Sequence, residues 1–179
     1  PSKLNKMIEM VKKNFDVPVS IDTYKSRVAE AALDAGADLV NDIWGLKYDS
    51  DLAGVIARKN VPCCLMHNRK EPDYTDFIAD FLKDMQETID IAKKAGIADE
   101  NIILDPGVGF GKTYENNLEI INKLECMHAL GYPILLGTSR KSMIGLTLDL
   151  PVSEREEGTL VTTVMAVQSH YGFVRVHDA

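Results

Sequence analysis

Six short apolar runs, each ending on polar side chains, restrict the folds open to this chain more than any other feature. They are PVSID (18–22), DLVND (38–42), PCCLMH (62–67), NIILD (101–105), PILLGT (133–138) and FVRVHD (173–178). Few polar positions alternate within them, the pattern of strands covered on both faces. The segments between them carry apolar residues three or four apart, as in Phe77, Ile78, Phe81, Leu82, Met85 and Ile89, or Leu118, Ile121 and Leu124. That spacing lays one helical stripe on a sheet. Gly36, Gly96, Gly131 and Gly172 stand between a helix and the next strand, where a left-handed cap is expected. Ser153 and Glu156 predict a capping box at the start of the last helix. Five consecutive strand–helix–strand crossovers build either an open doubly wound sheet or a closed eight-stranded barrel. The runs end on Asp22, on Asn41 and Asp42, on His67, on Asp105, on Thr138 with Ser139 following, and on His177 and Asp178. An open sheet concentrates its functional groups at one switch point, whereas a barrel collects them from many strands at one rim. The expected fold is therefore α/β, a TIM (β/α)8 barrel.

Spacing then limits how much of a barrel is present. The 156 residues from Asp22 to Asp178 give roughly 31 per unit, and eight such units need about 250. Six strands in 179 residues predict a single, partial barrel domain over residues 1–179, with two N-terminal strands and the last helix outside it. A helix with Leu4, Met7, Ile8, Val11 and Phe15 on its apolar side is expected ahead of the first strand. Two open sheet edges would make such a piece marginally soluble and nearly inactive alone.

A formal charge of −7 argues against a nucleic-acid surface and provides no basic stripe for lipid. The N-terminus lacks the apolar core of a signal peptide, and no run reaches the ~18 residues of a membrane span. The expectation is a cytoplasmic protein that binds small molecules. Cys63, Cys64 and Cys126 show neither disulfide nor zinc spacing and read as reduced thiols. His67, His128 and His170 lack partners at ligand spacing, so no metal site is expected within the chain.

The stretch DPGVGFGKT, Asp105 to Thr113, resembles a phosphate loop but fails as one. The position five before the Gly-Lys pair holds Pro106, which has no N–H to curl around a phosphate. What remains is a carboxylate at a strand end followed by a glycine loop that lets backbone approach a flat or anionic ligand. Lys141, directly after the strand run, reads either as a solvated charge or as a site residue. Arg175 and His177, two apart on the last run, are expected to point the same way, inward, and to form an anion site. An ion pair of Arg175 with Asp178 or Asp22 is the structural alternative.

Taken together and in order, SIDT, NDI, LMH, DPGVGFGK, GTSRKSMIG and RVHD resemble dihydropteroate synthases over nearly the whole chain from Val17 onward. The resemblance implies condensation of 4-aminobenzoate with 6-hydroxymethyl-7,8-dihydropterin pyrophosphate, releasing pyrophosphate, and a sulfonamide target. It implies pterin contacts from Asp22, Asn41, Ile43, Met66, Asp105, Phe110, Gly137, Lys141 and Arg175. It places Ser139, Arg140 and Ser142 toward the aminobenzoate, and Arg175 and His177 on the pyrophosphate, with Lys141, Arg175 and His177 serving catalysis. A carboxylate such as Asp105 suits the donor edge of a pterin because it accepts two N–H bonds. The resemblance also implies Mg²⁺ on the pyrophosphate, its family Asn ligand lying in an upstream segment outside this sequence, and a homodimer in the full-length enzyme. Two other classes fit parts of the pattern: a pterin-binding methyltransferase of the methyltetrahydrofolate/corrinoid type, and a non-catalytic fragment.

Overall fold

Each of the six apolar runs contains a strand, but the last two are cut to Leu135–Leu136 and Phe173–Val174. The structure, a computed structural model, describes residues 3–178; Pro1, Ser2 and Ala179 lie outside the described residues. Contacts group the chain into two compact units, Pro1–Met66 with Gln86–Ile103, and His67–Met85 with Leu104–Ala179.

The first unit holds α1 (Lys3–Asn14), β1 (Ser20–Asp22), α2 (Ser26–Asp34), β2 (Leu39–Asp42), α3 (Leu52–Lys59) and β3 (Cys63–Met66). It also holds the later turns of α4 (Phe77–Lys94) and the first residues of β4 (Ile102–Asp105). The sheet runs β1-β2-β3-β4. Pairing is parallel, with Ile21 beside Val40 and Asn41 beside Cys64. All four residues of β3 are buried, as expected of a strand covered on both faces, but in β1 only Ile21 is. Ala29 and Ala32 on α2 are fully buried, and their small side chains let α2 pack closely. Of the stripe expected on α1 only Ile8 is buried; Met7 and Phe15 are exposed, and Phe15 lies beyond the helix end. Gly36 and Gly96 take the left-handed conformation expected of helix caps.

The second unit holds the rest of β4, α5 (Tyr114–Asn122), a 3-10 segment (Leu124–Leu130), β5 (Leu135–Leu136), α6 (Ser142–Leu148), α7 (Glu156–Gln168), β6 (Phe173–Val174) and the first turns of α4. A parallel bridge joins Leu104 to Ile134, and β5 pairs parallel with β6. Phe77, Phe81 and Met85 line the buried side of α4 here. Phe81 is completely buried, so its truncation to Ala should cost about 3 to 5 kcal/mol.

Four sequence expectations need correction. The expected Ser153–Glu156 box does not form: a short 3-10 turn covers Val152–Glu154 and α7 has no side-chain cap. A capping box closes α5 instead, where Thr113 accepts from the Asn116 N–H and the Asn116 side chain accepts from the Thr113 N–H. Asn replaces the usual acidic partner there, which hid the motif. Second, the left-handed residue before β6 is His170 (φ 56), not Gly172. Third, Leu118 is exposed and Ile120 is buried in its place, with Asn117 also buried. Fourth, β6 is exposed along both of its residues rather than covered on both faces.

Candidate active site

In the second unit the site is assembled from three strand ends. β4 ends on Asp105, whose side chain is 2% exposed. Its Oδ1 accepts the Gly107 N–H at 2.7 Å, an Asx turn that starts the glycine loop. Its Oδ2 accepts Arg175 Nη2 at 2.9 Å. Burial raises the Asp105 carboxyl above its ordinary value, and the Arg175 guanidinium, the Gly107 N–H and the Lys141 charge oppose that rise. Each carboxylate oxygen keeps a second lone pair for a ligand donor.

Arg175 reaches Asp105 because β6 is held beside β5: the Arg175 N–H donates to Leu136 O at 2.9 Å. The guanidinium then passes over Gly137, where a Cβ would lie 2.7 Å from Nη2. Glycine leaves room for it in this position, whereas a Cβ would push the guanidinium aside. Within this unit its carboxylate partner is thus Asp105 and not Asp178. Asp178 pairs with Arg140 at 2.5 Å. His177 is exposed and its Nδ1 lies 2.8 Å from Ser139 Oγ, so Arg175 and His177 do not form one inward pair. The ladder breaks down after Arg175, and the two side chains follow different partners.

The loop after β5 is held under strain. Arg140 has φ 56, a conformation costly for a residue with a Cβ. Its N–H donates to Thr159 Oγ1 at 3.0 Å and its carbonyl accepts Arg155 Nη1 at 3.0 Å. The Arg155 guanidinium fits because residue 145 is glycine, whose Cβ would meet it at 2.3 Å. This explains the Gly of SRKSMIG; Arg155 and Thr159 were not foreseen because they belong to another helix. The turn delivers Lys141, whose ammonium lies 4.6 Å from the Phe110 ring centroid and donates to Val108 O. Burial pulls Lys141 down to about 8, against the attraction of Asp105. Asp105, Phe110, Gly137, Lys141 and Arg175 are therefore together. Ser139 and Arg140 line a neighbouring cavity of about 390 Å³ with Thr159, Leu160, Val174 and Val176, while Ser142 is the exposed first residue of α6.

A second polar cluster lies behind the glycine loop. His67, at the end of the β3 run, is buried between Asp84 and Lys112: Nε2 is 3.0 Å from Asp84 Oδ2, and Nδ1 is 2.8 Å from Lys112 Nζ. Lys112 also donates to the carbonyls of Gly107 (3.0 Å) and Phe110 (3.1 Å). Arg69 clamps both Asp84 oxygens, at 2.6 and 3.2 Å. Burial raises the Asp84 carboxyl, but the bonds from His67 and Arg69 outweigh it and leave it well below the ordinary range. Lys112 stood in plain view in DPGVGFGK, yet a failed phosphate-loop match gave no reason to single it out.

In the first unit, Asp22 ends β1 with an exposed side chain, and Asn41 and Asp42 end β2, both buried. Asp42 holds its own loop by accepting the N–H groups of Trp44 (2.9 Å) and Leu46 (2.6 Å). Ile43 is half-buried and Met66 is buried. Cys63 and Cys64 are buried thiols and Cys126 is a partly buried one. Among the described residues no group of three or more His, Cys, Asp or Glu could hold a metal ion. No helix among them is long and apolar enough to cross a membrane.

Residues 2–177 match the family model described as "Pterin binding enzyme". A dihydropteroate synthase of Clostridium beijerinckii is 62% identical over 178 residues, 99% of this chain and 66% of the relative. One of Bacillus subtilis is 52% identical over 177 residues, again 99% of this chain but 62% of the relative. The chain thus spans just under two-thirds of the length of these relatives. Among solved structures, a dihydropteroate synthase of Clostridium difficile, crystallised in the presence of pteroic acid, superposes with a TM-score of 0.93 at 45% identity, covering 96% of this chain and 65% of that one. A Yersinia pestis dihydropteroate synthase in complex with a sulfonamide drug gives 0.92 at 34% identity, covering 98% and 66%. At these identities the likeness shows the fold, which is of the TIM-barrel class expected from the strand ends.

Proposed function

The chain belongs to the pterin binding enzyme family, and from that premise we propose that it carries the pterin-recognising part of a dihydropteroate synthase. In this reading 6-hydroxymethyl-7,8-dihydropterin pyrophosphate and 4-aminobenzoate combine to 7,8-dihydropteroate. The C–O bond to pyrophosphate breaks, a C–N bond forms to the aniline nitrogen, and that nitrogen loses a proton.

The observation that carries the proposal is the buried Asp105 carboxylate, with Arg175 on one oxygen and the Lys141–Phe110 pair at the mouth of the same loop. Its open lone pairs accept two N–H groups of the pterin edge, and the Phe110 ring and Arg175 guanidinium provide flat surfaces for the ring system. The partly depressed Lys141 ammonium donates to the pterin oxygen or ring nitrogen. His177, held by its contact with Ser139, and the Arg175 charge serve the leaving pyrophosphate, while Ser139, Arg140 and Ser142 lie on the aminobenzoate side. A fixed ring and cations on the leaving group suffice for such a displacement, which needs no strong base. For Asp22, Asn41, Ile43 and Met66 the pterin role rests on the resemblance of their motifs. Magnesium on the pyrophosphate belongs to the same reading, but no residue of this chain is assigned to it and no step is routed through it.

The test is a calorimetric titration of the 179-residue chain with 6-hydroxymethyl-7,8-dihydropterin pyrophosphate, followed by a pyrophosphate-release assay with 4-aminobenzoate added. Saturable pterin binding supports the proposal. Absence of binding by a folded chain overturns it.

A further inference from the structure

The cluster behind the glycine loop has a defined proton arrangement. Lysine ammonium has three donors and no acceptor, so His67 Nδ1 must accept from Lys112. A carboxylate only accepts, so His67 Nε2 carries the proton and donates to Asp84. The three Lys112 donors then end on His67 Nδ1, Gly107 O and Phe110 O, at 2.8, 3.0 and 3.1 Å. Lys112 is fully engaged, and its two carbonyl partners bracket the loop that starts at Asp105 and carries Phe110. The remaining ties are similar: Val108 O accepts Lys141 and Gly111 O accepts the Tyr74 hydroxyl at 2.6 Å. Gly111 also lies so close to the Arg69 backbone that a Cβ would come within 2.5 Å of its N and O.

We infer that Lys112, oriented by the Asp84–His67 pair, is a positioning residue that sets the conformation of the Gly107–Gly111 loop and so the aim of Asp105 and the Phe110 ring. Every element packed around it agrees with that role. The charges facing Lys112 are Asp84 from α4, Arg69 after β3, Asp105 at the end of β4 and Lys141 after β5, and the Phe81 ring lies 5.8 Å from its nitrogen. Two carboxylates offset two cations, so the site is locally balanced and the ammonium is held by directed bonds rather than by net field. Asp84 acts at one remove: it selects the histidine tautomer whose free lone pair faces the lysine.

The part of this inference that concerns ligand aim rests on the pterin reading above; the part that concerns the loop does not. Nitrogen-15 NMR of the His67 ring in the chain at pH 6.5 should show the Nε2–H tautomer, and an Nδ1–H tautomer would overturn the assignment. In Lys112→Met, amide exchange at Gly107, Gly109 and Phe110 should rise at least tenfold at pH 6.5, while amides of α5 and α7 stay within threefold of wild type. Pteroic acid affinity should fall by about tenfold, and Lys112→Arg should recover part of both losses. Unchanged loop exchange, or exchange raised equally throughout the unit, would overturn the positioning role. Should Lys112→Met not fold, the same exchange pattern is read in His67→Gln. A wild-type chain that binds no pteroic acid counts against the functional reading, while the exchange and tautomer results still decide the loop.

Discussion

Replacing Asp105 by Asn keeps the shape of the side chain and removes one acceptor, and the structure dictates which contact suffers. With the amide oxygen toward Gly107, the 2.7 Å Asx turn survives and the NH2 group faces the Arg175 guanidinium, donor against donor. The opposite rotamer would set the NH2 against the buried Gly107 N–H, a worse conflict because nothing there can move to water. The first rotamer therefore prevails, and Arg175, whose side chain is 40% exposed, swings away at small cost to folding. A pterin edge that met two acceptors now meets one acceptor and one donor. Loss of a hydrogen bond to a charged group costs about 1.5 to 3 kcal/mol and a buried unpaired donor about 1 to 3 more. The sum predicts about a 60-fold or greater loss of affinity, at about 1.4 kcal/mol per tenfold. Burial opposes ionisation of Asp105, so neutral Asn relieves part of that strain and the melting temperature should move by no more than about 4 °C, corresponding to roughly 1 kcal/mol for a chain of this length. Calorimetric titration with pteroic acid, paired with a thermal melt, reads both quantities. Affinity within threefold of wild type would refute the assignment of Asp105.

Gly111→Ala should lower stability far more than Gly96→Ala. Both have positive φ, but a Cβ at 111 would meet Arg69 backbone atoms at 2.5 Å whereas at 96 nothing lies within 4 Å; denaturant unfolding of the two variants checks the difference, expected to exceed about 1 kcal/mol. Thr113→Ala should cost about 1 kcal/mol by removing the capping box of α5, and Ser153→Ala should cost almost nothing by the same assay. Lys112 falls from 10.5 to about 7 in the folded chain, chiefly through burial. Between pH 7 and 8.5 the folded state therefore binds fewer protons than the unfolded one, and this residue should add about 1 to 2 kcal/mol of stability as pH rises. The gain is absent below pH 7, and Lys112→Met should flatten the slope; an unchanged slope contradicts the burial argument. The range stops short of pH 9 because burial lifts the Cys63 thiol from 9.0 to about 12, which acts in the opposite direction.

Strand positions were legible in the sequence because burial on both faces removes polar residues, and β3 shows the consequence with all four residues buried. β1 and β6 looked the same in sequence but are partly or wholly exposed: an apolar run records what a strand is suited to bury, not what lies against it. Asp105, Phe110, Gly137, Lys141 and Arg175, each read from strand ends and motif resemblance, lie together in the fold. Their pairing was not legible. Arg175 selects Asp105 instead of Asp178 because residue 137 is glycine and opens the path, a contact across 70 residues of sequence. The Asp84–His67–Lys112 cluster escaped notice for the same reason, since its members come from a helix, a strand end and a loop with no common spacing. Local rules failed where two patterns competed: Ser153 and Glu156 have the spacing of a capping box, but a 3-10 turn takes the first of them out of position.

The central claim is that a pterin is read by the end of β4 and the loops beside it. Its most direct test is a backbone amide and arginine side-chain NMR titration of the isotopically labelled 179-residue chain with pteroic acid. The account predicts saturable shifts of Gly107, Gly109, Phe110, Gly137 and Lys141 amides and of the Arg175 guanidinium, all following one binding curve and all lost in Asp105→Asn. Saturable binding that leaves these signals unmoved, or that persists unchanged in Asp105→Asn, would contradict it.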